Sequence, residues 1–397
     1  MTNTFGTRFR VTTWGESHGS ALGAVIDGCP AGLELSAEDV ARELQRDVPE
    51  PRVGTGRIEP NLPEILSGVF EGRTIGTPIS ILVLNVDVGS ERYKVLKNTP
   101  RPGHADFTYR ARWGHVDWRG GSRASGRECI GRLAAGAVAR KLLDLAGISV
   151  ESELLEMAGM PIRDTGSLEA AIRRVEELAL QGRSTGGRVQ VRARGVPAGL
   201  GEPVFGKLSA ELASAMFGIG SVKAFELGAG CQHAGLTGEE SNDELGLAGG
   251  SPTFLSNRAG GVLGGITNGM DLVGVLTVKP TPSIPLEQRT VDLEAGTETR
   301  IRIEGRFDAN ITPRVAVVAE SMLALLLTDH MLRSGLLDPT QVDRSACMAG
   351  KRELPADPTS ISRAATARRG TAGGRVKTGA LAPAVRAGRN RAERTSE

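Results

Sequence analysis

Residues 25–33 read VIDGCPAGL, and residues 191–200 read VRARGVPAGL. In each, a β-prone run breaks at a glycine and passes through Pro-Ala-Gly. It then meets a helical stretch, Ser36-Ala37-Glu38 in the first copy and Ser209-Ala210-Glu211 in the second. Apolar runs bounded by Pro and Gly predict strands and turns. The echo therefore reads as strand, turn, helix twice over, either by chance or because the chain is two related halves sharing one core. No Pro/Ser-rich linker divides the copies, so one domain covering residues 1–340 is expected.

Working outward, further strands are predicted at 8–13, 21–27, 79–85, 187–194, 222–228, 271–279 and 300–305. Helices are predicted at 37–46, 126–145, 167–181, 206–217 and 315–334. The second helix carries Ile130, Leu133, Ala134, Ala137, Val138 and Leu142 near the helical period. Ser125 followed by Glu128 predicts a capping box at its start. The last helix, VAVVAESMLALLLTDHMLRS, is apolar on most sides and stops at Gly335, so it should be buried.

The chain has 397 residues, 40% hydrophobic and 24% charged, which fits a soluble globular protein with a sizeable core. No apolar run has the roughly 18–20 residues of a membrane span. The start, MTNTFGTRFRVTTWGESHG, carries no signal-peptide core, and a cytoplasmic location is expected. Cys29, Cys129, Cys231 and Cys347 form no CxxC pair, which argues against a zinc knuckle or disulfide framework. Residues 355–397 hold nine of the 48 Lys/Arg and three of the 46 Asp/Glu, leaving 39 against 43, a net charge of −4, for residues 1–354. An extension over 341–397, basic and disordered from about 355, is therefore expected, since it holds too little apolar surface to offset its ordering entropy.

The densest chemistry lies in residues 100–127, PRPGHADFTYRARWGHVDWRGGSRASGR, with Arg101, Arg110, Arg112, Arg119, Arg123 and Arg127. Cations, a proton-transfer group and a glycine turn opening onto a helix N-terminus describe a pocket for a multiply anionic, phosphorylated small molecule. The turn, GGSRASGR, is neither a Walker A loop nor GxGxxG and names no nucleotide; a plain turn with a capping serine is the alternative. His18, in Gly15-Glu16-Ser17-His18-Gly19 at a strand end, is placed for proton transfer to a ligand. His104, aimed by Pro102-Gly103, is similar; for both, a structural turn or surface histidine is the plainer alternative. His330, on the buried helix, reads as a satisfied core residue. Lys279-Pro280-Thr281-Pro282-Ser283 suits a phosphate or a flavin edge. Arg306 and Asp308, two apart after a strand, share a face if still extended, with Asp308 as a base and Arg306 on an anion. A surface ion pair would look the same.

Seven blocks carry a resemblance: RVTTWGESHG (10–19), ILSGVFEGRTIGTPI (65–79), RPGHAD (101–106), GGSRASGRE (120–128), SNRAGGVLGGI (256–266), KPTPSI (279–284) and RFD (306–308). In kind and order they resemble the chorismate synthase family. The resemblance implies an α+β fold, a β-α-β sandwich with antiparallel sheets inside and helices outside, as a pseudo-duplicated single domain. It implies conversion of 5-enolpyruvylshikimate-3-phosphate to chorismate and phosphate, the last common step towards aromatic amino acids. Reduced FMN is implied as cofactor, NADPH as its reductant in some members, and a homotetramer as the assembly.

By the same resemblance His18 protonates the departing phosphate and His104 controls flavin protonation. Asp308 takes the C6 proton, directly or by way of the flavin. The substrate's anions meet Arg46, Arg52, Arg101, Arg127 and Arg306, although Arg46 and Arg52 can instead belong to a pyridine nucleotide. The flavin meets Arg123, Ala124, Ser125, Gly220, Ser221, Gly264, Lys279, Pro280, Thr281, Pro282, Ser283 and Arg306. Departures from the family pattern are the diluted run Gln45-Arg46-Asp47-Val48-Pro49, RASGRE in place of RSSARE, Gly220-Ser221 for an Asn-Ala pair, Pro282 for a serine and Ala309 for a proline. They thin the flavin's hydrogen bonds and predict weaker FMN affinity. Rival expectations are a lyase for another enolpyruvyl phosphate and, through the basic tail alone, a nucleic-acid binder; the acidic body has no reader motif.

Overall fold

Each Pro-Ala-Gly turn ends the central strand of a five-stranded antiparallel sheet. The computed structural model describes residues 3–47, 52–54, 60–86, 89, 91–305 and 307–342. In the first sheet β1 (Thr4–Phe5), β2 (Arg10–Gly15), β3 (Ala21–Asp27), β4 (Pro63–Ser67) and β5 (Ile79–Leu84) lie in the order β1-β2-β3-β5-β4. The second holds β6 (Ser149–Met157), β7 (Met160–Pro161), β8 (Gly187–Arg194), β9 (Val222–Leu227) and β10 (Leu272–Val278), in the order β7-β6-β8-β10-β9. The helices are α1 (Ala37–Gln45), α2 (Asp106–Trp113), α3 (Cys129–Leu145), α4 (Thr165–Leu180), α5 (Leu208–Phe217) and α6 (Thr312–Ser334).

The two sheets repeat one another down to single hydrogen bonds. Gly28 and Gly195, where β3 and β8 stop, have φ of 90° and 75°. A Cβ on Gly28 would lie 1.9 Å from the Arg8 carbonyl oxygen, and one on Gly195 2.4 Å from that of Gly147. Arg8 and Gly147 precede β2 and β6, the matching neighbours in the two sheets. Past the turn, the Leu33 amide donates to Thr74 Oγ1 (2.9 Å), which donates to the Pro30 carbonyl (2.7 Å). The Leu200 amide donates to Thr267 Oγ1 (2.8 Å), which donates to the Pro197 carbonyl (2.7 Å). Each threonine closes a two-residue hairpin, Val69–Phe70 with Arg73–Thr74 and Val262–Leu263 with Ile266–Thr267. The echo is thus a structural duplication.

The α+β class, the antiparallel sheets and the β-α-β layering are as the resemblance implied, but the long helices lie inside and the sheets outside, the reverse of the placement expected. The strands alternate: Ile79, Ile81 and Val83 of β5, and Val189, Val191 and Ala193 of β8, are buried, while their neighbours are half-exposed. Each sheet thus has one apolar face to cover. Helices α3 and α6 are apolar around most of their circumference and need cover on several sides. They lie together between the sheets, α3 on β3 and α6 on β6 and β8. Contact is close enough to demand small residues. A Cβ on Gly131 would lie 2.6 Å from the Gly23 carbonyl oxygen of β3, and one on Gly136 2.6 Å from the Ser321 side chain of α6.

Helix α6 is long and apolar enough to cross a membrane by length and composition, but 94% of its most apolar window is buried in this core. Its buried acid and histidine are engaged, although Thr312 Oγ1 is buried with no partner among the described residues. Asp329 accepts the backbone N–H groups of Thr7 and Phe9, each at 2.9 Å, and His330 Nε2 lies 2.9 Å from Glu211 Oε2. His330 is the satisfied core histidine expected. The start of α3 differs from expectation. Ser125 Oγ accepts from the Arg127 amide (3.3 Å), but Glu128 turns to Thr13 and Arg132, so no capping box forms. A 3-10 turn over Gly126–Glu128 leads into the helix instead. The predicted strand at 300–305 is a hairpin strand at Thr297–Ile301. Residues from 343 onward, with the predicted tail and Cys347, lie outside the described residues.

Candidate active site

The turn GGSRASGR at residues 120–127 stands at the centre of the candidate site. Gly120 and Gly121 have φ of 58° and 83°, and each has a histidine against its Cα. A Cβ on Gly120 would lie 2.2 Å from His18 Cδ2, and one on Gly121 2.5 Å from His104 Cε1. No side chain fits at either position, so adjacent glycines bring two imidazoles to one turn although 86 residues separate them in the chain. His18 is 7% exposed and meets the edge of Tyr93 with ring centroids 4.9 Å apart.

Two arginines of the turn fix the strand end that carries His18. Arg123 Nη1 donates to the Gly15 carbonyl (3.0 Å), and its Nη2 to the Thr13 carbonyl (3.1 Å) and hydroxyl (2.6 Å). Arg127 Nε donates to Asn85 Oδ1 (3.0 Å), and Asn85 Nδ2 donates to the carbonyls of Glu16 and Gly19 on either side of His18. Arg127 also donates to Asn61 and is buried. Ala124 and Ser125 follow, Ser125 as the cap described above.

His104 belongs to a second turn, clamped onto residues 279–283. Lys279 Nζ donates to the Gly103 carbonyl (2.6 Å), and Arg101 Nη1 to Ser283 Oγ (3.1 Å). Pro282 packs under Gly103, and Ser184 Oγ donates to the Thr281 carbonyl. The Lys279 amide donates to the Ser221 carbonyl at 2.9 Å; Ser221 itself holds a φ of 72°, a strained conformation for a residue with a Cβ. Arg101 is 5% exposed and bidentate to Asp106, through Nε to Oδ2 and Nη2 to Oδ1, both 2.8 Å. Burial lowers the His104 pKa, the charges of Arg101 and Lys279 add to that, and Asp106 opposes it. Burial alone would raise Asp106, but hydrogen bonds from Arg101 and His104 hold it well below the usual carboxylate range.

Asp308 approaches the far end of the same turn. Its Oδ2 lies 3.5 Å from Arg314 Nη1, and that nitrogen would be 3.8 Å from a Cβ on Gly126. Arg314 is also bidentate to Asp47 (2.9 and 2.8 Å). The segments holding Arg46 and Arg52 flank this pair, since Asp47 follows Arg46 and the Val53 carbonyl accepts the Asn310 amide at 3.0 Å. Arg46 bridges Glu43 and Glu320, and Arg52 is bidentate to Glu169 of α4 at 2.9 and 3.0 Å. Asp308 stands outside the strand expected there, and Arg306 lies outside the described residues, so their shared face is not described. Gly264 is elsewhere: its hairpin turn contacts Lys207 and Leu208 at the start of α5 through Gly265.

The residues present fit a phosphorylated flavin. Thr281 Oγ1 is buried with no hydrogen-bond partner among the described residues, between Pro280 and Pro282 and two residues past Lys279. An unmet buried hydroxyl costs about 1–3 kcal/mol, which a ligand's polar atom would relieve. Gly220 opens on space, with no atom within 4 Å of a Cβ built there.

Three neighbours were not singled out from sequence. Asp106 is two residues from His104 inside a quoted block, and that spacing was the available signal. Arg314 begins α6 and Tyr93 belongs to an unremarkable segment; neither carries a motif.

A sequence model of the chorismate synthase family matches residues 9–332. The chain is 50% identical over 357 residues to the chorismate synthase of Methanosarcina mazei, covering 85% of this chain and 98% of that one. It is 50% identical to that of Archaeoglobus fulgidus (84% and 98% covered) and 48% identical to that of Chloroflexus aurantiacus (86% and 99%). Among solved structures, a crystal structure of chorismate synthase matches with a TM-score of 0.69 and 28% identity, over 87% of this chain and 97% of the other.

Proposed function

This chain belongs to the chorismate synthase family and is a carbon–oxygen lyase, and on that premise we propose that it eliminates phosphate from 5-enolpyruvylshikimate-3-phosphate to give chorismate, with reduced FMN as cofactor. The observation that carries the proposal is the pairing of His18 and His104 across Gly120-Gly121. A 1,4-elimination needs a proton delivered to a leaving phosphate and another removed from carbon, and two buried imidazoles in one place supply proton-transfer groups near neutral pH.

His18 protonates the departing phosphate. Its ring is held in place by Tyr93 and Gly120, which restricts it to one approach. Arg127 bears on the substrate's anions from the turn that also holds His18, with Arg46, Arg52 and Arg306 as further cations; fixed positive charge favours a trianion and the charge growing on the leaving group. Arg101 is a further such cation, and like Arg46 and Arg52 it is also paired within the protein, to Asp106 and Ser283. Asp308 accepts the C6 proton, with the Arg314 guanidinium 3.5 Å from its Oδ2. Lys279 to Ser283, Gly220-Ser221 and Arg123 to Ser125 hold the flavin. When bound, reduced FMN supplies electron density to the allylic system and recovers it, with no net redox change. Burial of His18, and the low 12% exposure of the His104 side chain, keep bulk water from the proton-transfer groups.

The same proposal includes a homotetramer, a cytoplasmic location in the shikimate pathway, and NADPH as reductant of the flavin, directly or through a separate reductase. The test is anaerobic mixing of the protein with chemically reduced FMN and 5-enolpyruvylshikimate-3-phosphate. Phosphate and chorismate should appear in equal amounts, and none with oxidised FMN. A folded protein that releases no phosphate would overturn the proposal.

A further inference from the structure

His104 Nδ1 has two neighbours of opposite kind. Asp106 Oδ1, which can only accept, lies 3.0 Å away, and Arg101 Nη2, which can only donate, lies 3.1 Å away. Charge weighs between them. Arg101 Nη2 has two hydrogens, one held by Asp106 Oδ1 at 2.8 Å and one able to reach the imidazole, but its positive charge is spread over three nitrogens while the carboxylate's negative charge is shared by only two oxygens. If Nδ1 carried a lone pair, Asp106 Oδ1 would face it without a proton between them. The arrangement is satisfied when Nδ1 carries the hydrogen and donates it to Asp106.

We propose that Asp106 is a positioning residue that fixes His104 as the Nδ1–H tautomer, leaving Nε2, on the side facing Gly121, as the nitrogen that exchanges a proton during the reaction. Arg101 fixes Asp106 in turn: its backbone amide (3.0 Å) and Nε (2.8 Å) both donate to Oδ2, and its Nη1 reaches Ser283. The chain Ser283–Arg101–Asp106–His104 thereby ties the imidazole's protonation pattern to the 279–283 segment. The charged groups facing the ring are Arg101 and Asp106 from its own turn and Lys279 from the segment packed on it. Two cations beside a buried ring disfavour imidazolium, so the neutral form is the resting one and its tautomer matters. The inference rests on His104 being a proton-transfer group in the proposed reaction.

Asp106→Asn is an informative substitution because it forces a choice. Two Arg101 donors converge on the Oδ2 position, so the amide oxygen must sit there. The amide nitrogen then takes the Oδ1 position, where one of its hydrogens meets Nδ1 and Arg101 Nη2 loses its acceptor, so Nδ1 must become an acceptor. The hydrogen moves to Nε2, and the ring presents the wrong nitrogen. With 15N-histidine labelling at pH 8, two-bond 1H–15N correlations should show Nδ1–H for His104 in the ligand-free wild-type protein and Nε2–H in Asp106→Asn. Turnover should fall on the order of 100-fold or more with little change in KM, as when an aspartate that sets a catalytic tautomer is neutralised. Asp106→Glu keeps a carboxylate and should restore part of the loss. An Nε2–H tautomer in the wild-type protein would overturn the inference without any variant having to fold. So would Asp106→Asn turning over within threefold of wild type. The tautomer readout does not depend on whether the wild-type protein releases phosphate, so failure of the proposed reaction would be seen separately.

Discussion

Gly121 combines a φ of 83° with a histidine where a side chain would go. Gly121→Ala meets two costs, about 1–2 kcal/mol for the left-handed backbone and the displacement of His104. It should lower kcat at least about 100-fold, because a misplaced proton-transfer group forfeits most of its contribution. Gly159→Ala isolates the backbone cost: its φ is 78° with nothing within 4 Å of the new Cβ. Urea unfolding should show a similar backbone loss there with kcat unchanged, and equal kcat losses in the two variants would contradict the assignment. Titration of His104 gives a second outcome. Its pKa lies below the ordinary 6.5, chiefly through burial, so between the folded value and 6.5 the unfolded chain binds more protons. Stability therefore falls as pH drops through 6.5, and His104→Gln should flatten that fall, while His330, shifted the same way by burial, keeps part of it. The two histidines of the proposed site were picked out in the sequence because turn residues flank them. Asp106, Arg314 and Tyr93 were not, since their roles arise from distances that one-dimensional spacing does not carry.

At the scale of elements, the duplicated Pro-Ala-Gly turn makes a paired prediction. Thr74 and Thr267 are each 3% exposed and each join a leucine amide to a proline carbonyl. Thr74→Val and Thr267→Val leave the same two groups unpaired in the same geometry. Each should cost about 1–3 kcal/mol in denaturant unfolding, by similar amounts. A large loss in one and none in the other would mean that the two turns do unequal work. The strand, turn and helix order around each echo was readable because alternation and Pro-Gly punctuation are local signals. Strand β6 was missed: in SVESELLEM, Glu151, Glu153 and Glu156 give it a polar look, and its pairing with β8 overrides that. The layer order was misjudged because an all-round apolar helix signals burial without saying between what. Only the one-sided burial of both sheets places α3 and α6 in the middle.

For the whole molecule, the family match ends at residue 332, and 85% of this chain accounts for 98% of the Methanosarcina mazei relative. Removing residues 355–397 should therefore leave kcat and the unfolding midpoint unchanged, and loss of turnover would implicate the tail in the reaction. The departures around the flavin segment, Pro282 and Gly220-Ser221 among them, predict weak FMN binding. Ordinary tight binding in a fluorescence titration of the ligand-free protein would refute that. The central claim is that His18 and His104, brought together at Gly120-Gly121, serve one reaction centre. Its most direct test is anaerobic phosphate release with reduced FMN by His18→Gln and His104→Gln, each checked for an unchanged circular dichroism spectrum. Each variant should lose at least about 100-fold in kcat. Wild-type turnover by either one would contradict the claim.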